Sequence, residues 1–206
     1  MSESFVRYNE LDLDYFARLL EVSARQTDAR ALAEKLLVRY GTIEDVLCVN
    51  PDELRDMVGE GVAATLKTLA AVVSRRVTDR FPFGRECTGC DVIDYFKAFF
   101  IGSDVEKVCL MCFDENNIPN RCDLVGVGTV NTSEVLPRRL LEAARRAGAK
   151  SVVIAHNHPS GSTAPSDEDI KFTASISRVL ERVGIKLLYH CIIAGQRHSI
   201  LEINDL

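Results

Sequence analysis

The sequence has no run of about eighteen apolar residues, the length that crosses a membrane as a helix. Its first residues, Met1-Ser2-Glu3-Ser4, are neither basic nor followed by an apolar stretch, so we expect neither a membrane span nor a secretory signal peptide. A basic excess is lacking too, since 25 Lys and Arg stand against 30 Asp and Glu. The seven cysteines are odd in number and have no disulfide-framework spacing, which favours free thiols in a reducing cytoplasm.

What the sequence does contain is a short polar motif that follows a buried strand. The segment Ser151-Val152-Val153-Ile154 is apolar and β-branched and lies between Gly148 and Pro159, which predicts a strand. Side chains two residues apart share one face of a strand, so His156 and His158 are expected to project together from its end.

A second part of the motif lies beyond a loop that is rich in Pro, Ser and Gly. Ser166 and Asp169 stand at the start of a helix predicted over residues 167–183. The loop is long enough to bring Asp169 to His156 and His158, and two imidazoles with one carboxylate are the ligand set of a catalytic zinc site with an open fourth position. The alternative explanation of Ser166 and Asp169 is a helix-capping pair, which has the same spacing.

These residues resemble a known motif. His156-x-His158, seven residues, Ser166, two residues and Asp169 resemble the JAMM motif of MPN-type metalloproteases. The segment His156-Asn157-His158-Pro159-Ser160-Gly161 is similar in particular to the RadC family of bacterial JAMM-domain proteins. The similarity extends from about Asp91 to the C-terminus, and it includes Glu106 before an apolar strand, Gly128-Thr129-Val130-Asn131 and Pro137-Arg138.

The resemblance implies a zinc-dependent hydrolase of peptide, isopeptide or other amide bonds. His156, His158 and Asp169 would hold Zn²⁺, which lowers the pKa of a bound water to about 7. Glu106 would be the general acid and base, and Ser166 would donate a hydrogen bond to the oxyanion of the tetrahedral intermediate. Without the resemblance, Glu106 is an exposed charge at the start of a strand. The residues favour no particular amide substrate and no particular oligomeric state.

The pattern of apolar residues divides the chain in two. Helical spacing, as in Leu13, Phe16 and Leu20, predicts a small all-helical domain over residues 1–80. Residues 81–90 break any period with Pro and Gly and are the expected linker. Strands and helices alternate over residues 91–206, which predicts an α/β fold. The resemblance implies that this second part is a JAMM/MPN domain with a curved mixed sheet flanked by helices.

The helical part contains a segment, residues 54–63, that resembles a helix-hairpin-helix. Its Gly-x-Gly turn would offer backbone amides to a DNA phosphate. The RadC family carries such a module and a DNA-repair label, so a DNA-associated binding protein without turnover is the alternative function. Glu60 between the two glycines, and 11 Lys and Arg against 14 Asp and Glu in residues 1–80, disfavour duplex binding. A structural or protein-contact role is favoured.

Two further patterns have competing explanations. The pairs Cys87-x-x-Cys90 and Cys109-x-x-Cys112 have the spacing of a four-cysteine zinc site. Residues three apart in a strand point to opposite faces, however, so the second pair is better explained as buried, apolar thiols. His190 follows Tyr189, where RadC proteins commonly have Asp before a histidine. It is therefore as consistent with a core or surface position as with a contact of the metal site.

Overall fold

The computed structural model describes residues 8–23, 28–128 and 135–203. The elements in these ranges are α1 (Glu10–Glu21), α2 (Ala29–Tyr40), α3 (Ile43–Leu47), α4 (Pro51–Val58), α5 (Glu60–Thr78), α6 (Gly89–Phe100), β1 (Lys107–Phe113), β2 (Pro119–Val127), α7 (Val135–Arg146), β3 (Ser151–Asn157), α8 (Asp167–Glu181), β4 (Lys186–Ala194) and β5 (Arg197–Glu202). The predicted α/β class, with a helical region before a mixed sheet, is confirmed. Among the described helices, none is both long and apolar enough to cross a membrane.

The five N-terminal helices surround a core of their own. Side-chain caps start most of them: Asn9 caps α1, Asp28 caps α2, and Asn50 caps α4, whose first residue is Pro51. The apolar face of each helix meets the others in a cluster that includes the fully buried Phe16, Leu20, Leu36, Leu54 and Leu66. Helix α3 is an addition to the sequence prediction, because its five residues are too few to show a helical period.

The sheet has the strand order β2-β1-β3-β4-β5, in which only the β3–β4 pair is parallel. Helices α7 and α8 pack on one face of the sheet, and α6 packs on the other. Strand β3 lies at the centre and every one of its residues is buried, which explains its continuous apolar run. Its last residues carry the polar motif to the edge of this core.

The turn that follows α6 passes close to α5. Gly102 has a φ of 72°, and a Cβ at this position would lie 2.8 Å from the Cβ of Ala70, so only glycine fits there. Thr88 caps α6 through a capping box with Asp91, and the helix begins at Gly89, inside the expected linker. The division of the chain into domains at residues 81–90 stays a prediction.

The cysteines behave as small apolar residues. Cys109 and Cys112 are fully buried, and they pack into the clusters on opposite faces of the sheet, as the strand periodicity predicts. All seven cysteines are free thiols. Within the described residues, no four-cysteine group forms. The cytoplasmic location that the free thiols favour stays a prediction.

Candidate metal centre

Three elements bring four acidic and imidazole side chains together at one end of the sheet. His156 lies near the end of β3 and His158 follows it, Asp169 lies in the first turn of α8, and Glu106 directly precedes β1. The antiparallel pairing places Val108 of β1 opposite His156, so Glu106 lies at the same edge. One donor atom from each of these four residues lies within 4.8 Å of all the others. The group can hold a metal ion.

Two distances within this group match the separation of ligands around a zinc ion. Asp169 Oδ1 lies 3.2 Å from His156 Nε2, and Asp169 Oδ2 lies 3.4 Å from His158 Nε2. Donors around a tetrahedral zinc ion, with bonds of about 2.0–2.1 Å, lie roughly 3.3 Å apart, which agrees with both distances. The two imidazole nitrogens are closer, at 2.8 Å. Glu106 Oε1 lies farther out, 3.9 Å from His156 Nε2.

A buried hydrogen-bond chain determines which nitrogen of His156 carries its hydrogen. The hydroxyl of Thr173 donates to the backbone oxygen of Asp169 at 2.6 Å, so its oxygen accepts from His190 Nδ1, also at 2.6 Å. His190 is almost fully buried, and burial lowers its pKa to about 3, so the ring is neutral. Its Nε2 then accepts from His156 Nδ1 at 2.7 Å. His156 Nε2 is left with a free lone pair that points into the group.

His158 is oriented in the same way by its own loop. Its Nδ1 donates to the backbone oxygen of Ser162 at 2.9 Å, which leaves its Nε2 as the free lone pair. The loop is held in turn by the edge strand β5. Arg197 donates to the backbone oxygen of Gly161 at 2.7 Å, and Ser199 donates to that of Thr163. Three successive carbonyl groups of the loop therefore have donors, which fixes the position of His158.

The electrostatics of the centre favour a cation. Two imidazole lone pairs and one carboxylate face each other there. These electron-rich groups repel one another unless a positive charge lies among them. Burial by itself raises the pKa of Asp169, but positive charge at His156 and the hydrogen bonds from Ser166 hold that pKa well below the ordinary value. Asp169 is therefore ionised at neutral pH. A cation at the centre would take the place of the positive charge at His156.

Ser166 and Asp169 form the capping box that the sequence offered as an alternative. The Ser166 hydroxyl and backbone amide donate to Asp169 Oδ2 at 2.7 and 2.8 Å, and the Asp169 amide donates back to the hydroxyl. The same box occurs at the start of α6 between Thr88 and Asp91, where the structure shows no metal-ligand group among the described residues. A capping box alone is thus no sign of a metal centre. At α8, the carboxylate of the capping box, Asp169, also faces His156 and His158.

All five residues that the sequence suggested for the site lie together, although their chemical roles stay predictions. The sequence did not identify Thr173, and it left His190 undecided; both contact the centre. Thr173 is four residues after Asp169, and this spacing places both on one face of α8. The spacing could therefore have indicated from the sequence that Thr173 lies near the centre. His190 depends on the pairing of β3 with β4, and nothing near it in the sequence indicated that contact. Most of the similar segment Gly128-Thr129-Val130-Asn131 lies outside the described residues.

A cleft with a volume of about 470 Å³ separates the helical region from the loop that carries His158. The helical side contributes Asp45 and Glu53, and the other side contributes the His158 loop and Arg197. At one end of the cleft, Asp45 Oδ1 accepts a hydrogen bond from the backbone amide of Gln196 at 3.4 Å. The helical region therefore contacts the β4–β5 turn. This turn leads into β5, the strand whose Arg197 and Ser199 donate hydrogen bonds to the His158 loop.

Comparison with known proteins finds similarity over nearly the whole chain. The family described as the RadC-like JAB domain matches residues 88–205. A UPF0758 protein of Carboxydothermus hydrogenoformans is 33% identical over 203 residues, which cover 94% of this chain and 87% of the relative. A UPF0758 protein of Desulforudis audaxviator is 32% identical over 205 residues, with 95% and 86% covered. A UPF0758 protein of Bordetella petrii is 33% identical over 189 residues, with 89% and 83% covered.

Proposed function

Because the chain belongs to the RadC family and has a JAMM/MPN-type domain, a metallohydrolase-type fold, we propose that it is a zinc-dependent hydrolase of peptide, isopeptide or related amide bonds. One observation carries the proposal. The free lone pairs of His156 and His158, the carboxylate of Asp169 and, farther out, Glu106 face one point at the edge of the sheet. An open position beside three ligands distinguishes a catalytic centre from a closed structural one.

In this proposal His156, His158 and Asp169 hold the metal ion. Zinc bound there would supply a Lewis acid, which lowers the pKa of a water molecule and polarises a carbonyl group. The preference for zinc over magnesium or calcium follows from the two imidazole donors, because the latter ions prefer an all-oxygen set. The chain itself fixes the orientation of the two imidazoles through His190 and Ser162.

Glu106 is the proposed general acid and base. Its side chain is 31% exposed, so it reaches both the centre and solvent, where a substrate would enter. A carboxylate at this position takes the proton from the attacking water and delivers it to the departing amine as the carbon–nitrogen bond breaks. Ser166 is exposed at the rim, and its hydroxyl would turn from Asp169 to donate to the substrate oxyanion.

Metal removal tests the proposal. We expect the purified protein to carry one zinc ion per chain and to hydrolyse at least one member of a panel of short peptides and isopeptide-linked substrates. Chelation should remove both zinc and hydrolysis, and added Zn²⁺ should restore both. The measurements are elemental analysis and product detection by mass spectrometry. Hydrolysis that persists in protein shown to be free of metal would contradict the proposal.

The helical region has a structural role in this proposal, and DNA binding is disfavoured. Helices α4 and α5 meet at Gly59, as in a helix-hairpin-helix, but Glu60 lies at the turn and pairs with Arg55 at 2.6 Å. A carboxylate there repels a phosphate. The region instead contacts the β4–β5 turn through Asp45. A salt-dependent shift of duplex DNA that is lost when Lys67, Arg75 and Arg76 are changed to Glu would contradict this role.

A further inference from the structure

Asn157 lies between the two histidines of the centre, and its side chain points to the segment that carries Glu106. It is only 5% exposed, and both ends of its amide group are in use. Its Oδ1 accepts from the backbone amide of Lys107 at 2.8 Å, and its Nδ2 donates to the backbone oxygen of Val105 at 3.1 Å. The two peptide groups on either side of Glu106 are therefore tied to one side chain.

Glu106 needs such support because it lies outside the regular ladder. Strand β1 begins at Lys107, and its pairing with β3 begins at Val108 opposite His156. On the other side, the backbone oxygen of Glu106 accepts from the amide of Gly128 at 2.7 Å. On the β3 side Asn157 supplies the contacts, with a side-chain amide taking the place that a backbone peptide group would have in the ladder.

We infer that Asn157 is the positioning residue for Glu106, which couples the position of the general base to the strand that carries the metal ligands. The inference rests on the proposed function. The asparagine holds the backbone at residues 105–107 and thereby sets the distance between the Glu106 carboxylate and His156 Nε2, which is 3.9 Å. Binding of the metal ion and placement of the base then depend on one short segment, residues 156–158.

The chemistry of the two contacts requires an asparagine. The Lys107 amide needs an acceptor and the Val105 oxygen needs a donor, and a primary amide offers both at this reach. An aspartate keeps the acceptor but faces the Val105 oxygen with a second one. An alanine loses both contacts and leaves the Lys107 amide and the Val105 carbonyl without these partners.

The test compares Asn157→Ala and Asn157→Asp with wild-type protein in three measurements. Hydrogen exchange of the Lys107 amide should become at least about tenfold faster in Asn157→Ala and remain near the wild-type rate in Asn157→Asp. Zinc content should be unchanged in both. Hydrolysis by Asn157→Ala should show a kcat lower by about 100-fold with an unchanged KM, as expected for a misplaced catalytic group, and Asn157→Asp should show a smaller loss.

A double-mutant cycle separates positioning from general damage. In a Glu106→Gln background, Asn157→Ala should cause no further loss of hydrolysis, since the group that it positions is already absent. The matched control is Asn120→Ala on β2, which removes an asparagine whose Nδ2 donates to the backbone oxygen of Ala147 at 3.0 Å, away from the centre. This variant should keep the wild-type kcat.

Two results would overturn the inference. One is unchanged Lys107 exchange in Asn157→Ala, which means that the side chain does not hold the segment. The other is an equal loss from Asn157→Ala with and without Glu106, which means that it acts through something else. Failure of the proposed function is a separate outcome. If wild-type protein hydrolyses no amide substrate, that function is wrong, and the exchange and zinc measurements still decide whether Asn157 fixes the segment.

Discussion

Replacement of Glu106 by glutamine is expected to lower amide hydrolysis by about 10²–10⁴-fold and to leave the zinc content unchanged. The glutamine has the same shape but cannot accept the proton of the attacking water. The loss of activity should appear in kcat, because the Glu106 carboxylate acts in the transition state rather than in substrate binding. The carboxylate lies 3.9 Å from His156 Nε2, beyond the closer ligands, so the metal ion should stay bound. Steady-state kinetics and elemental analysis on the same preparation measure both quantities.

The control for this change is the same substitution at the other end of β1. Glu115 is exposed in the turn after β1, and Glu115→Gln should keep the wild-type kcat. A Glu106→Gln variant that hydrolyses substrate at the wild-type rate would show that the proton is carried by another group. A Glu106→Gln variant that loses its zinc would show instead that Glu106 is a ligand of the metal ion.

The fold was predictable where the signal is local in sequence. The apolar run of residues 151–154 predicted β3, and the structure extends this strand by three residues to Asn157. The helix predicted over residues 167–183 ends at Glu181. Strand order and register were not readable from the sequence, because they depend on contacts between segments far apart in the chain. The curved mixed sheet came from the resemblance rather than from periodicity.

The candidate site was predictable for a similar reason. His156, His158, Ser166 and Asp169 lie within fourteen residues, so their spacing shows in the sequence. Glu106 lies fifty residues earlier and was found only through the resemblance to RadC proteins. The contacts that support these residues could not be predicted from the sequence. Asn157 touches the segment of Glu106 because β1 pairs with β3, and this pairing is a property of the folded sheet.

The contacts that support His156 show most clearly what could not be predicted from the sequence. The residue before His190 differs from the common RadC sequence, and this local difference made a contact with the centre no more favoured than a core or surface position. In the structure, His190 pairs in register with Ile154, on the same face of the sheet as His156. The hydroxyl of Thr173, and not an acidic neighbour in the sequence, is the partner of its Nδ1. The supporting contact of His190 therefore comes from helix α8 and not from a neighbour in the sequence.

Loss of His156 is expected to abolish zinc binding, and loss of the Thr173 hydroxyl is expected to weaken it by about 10–100-fold. His156→Ala removes a ligand, whereas Thr173→Val keeps the shape of the side chain and removes the oxygen that accepts from His190 Nδ1. His190 is then free to take the other tautomer, which no longer accepts from His156 Nδ1. Competition with a chromophoric chelator measures the affinities. The control is His198→Ala, which removes an exposed histidine of β5 and should have no effect.

The order of the affinities, rather than any single value, distinguishes the explanations. Wild type and His198→Ala should be equal, Thr173→Val should be intermediate, and His156→Ala should show no binding. If Thr173→Val matched wild type, the hydrogen-bond chain would not set the tautomer of His156. If zinc survived His156→Ala and disappeared with Cys87→Ser and Cys90→Ser, the metal would lie at the cysteines and the hydrolase proposal would fail. The expected order instead follows from one requirement, that the metal ion meets a neutral imidazole whose free lone pair is already oriented toward it.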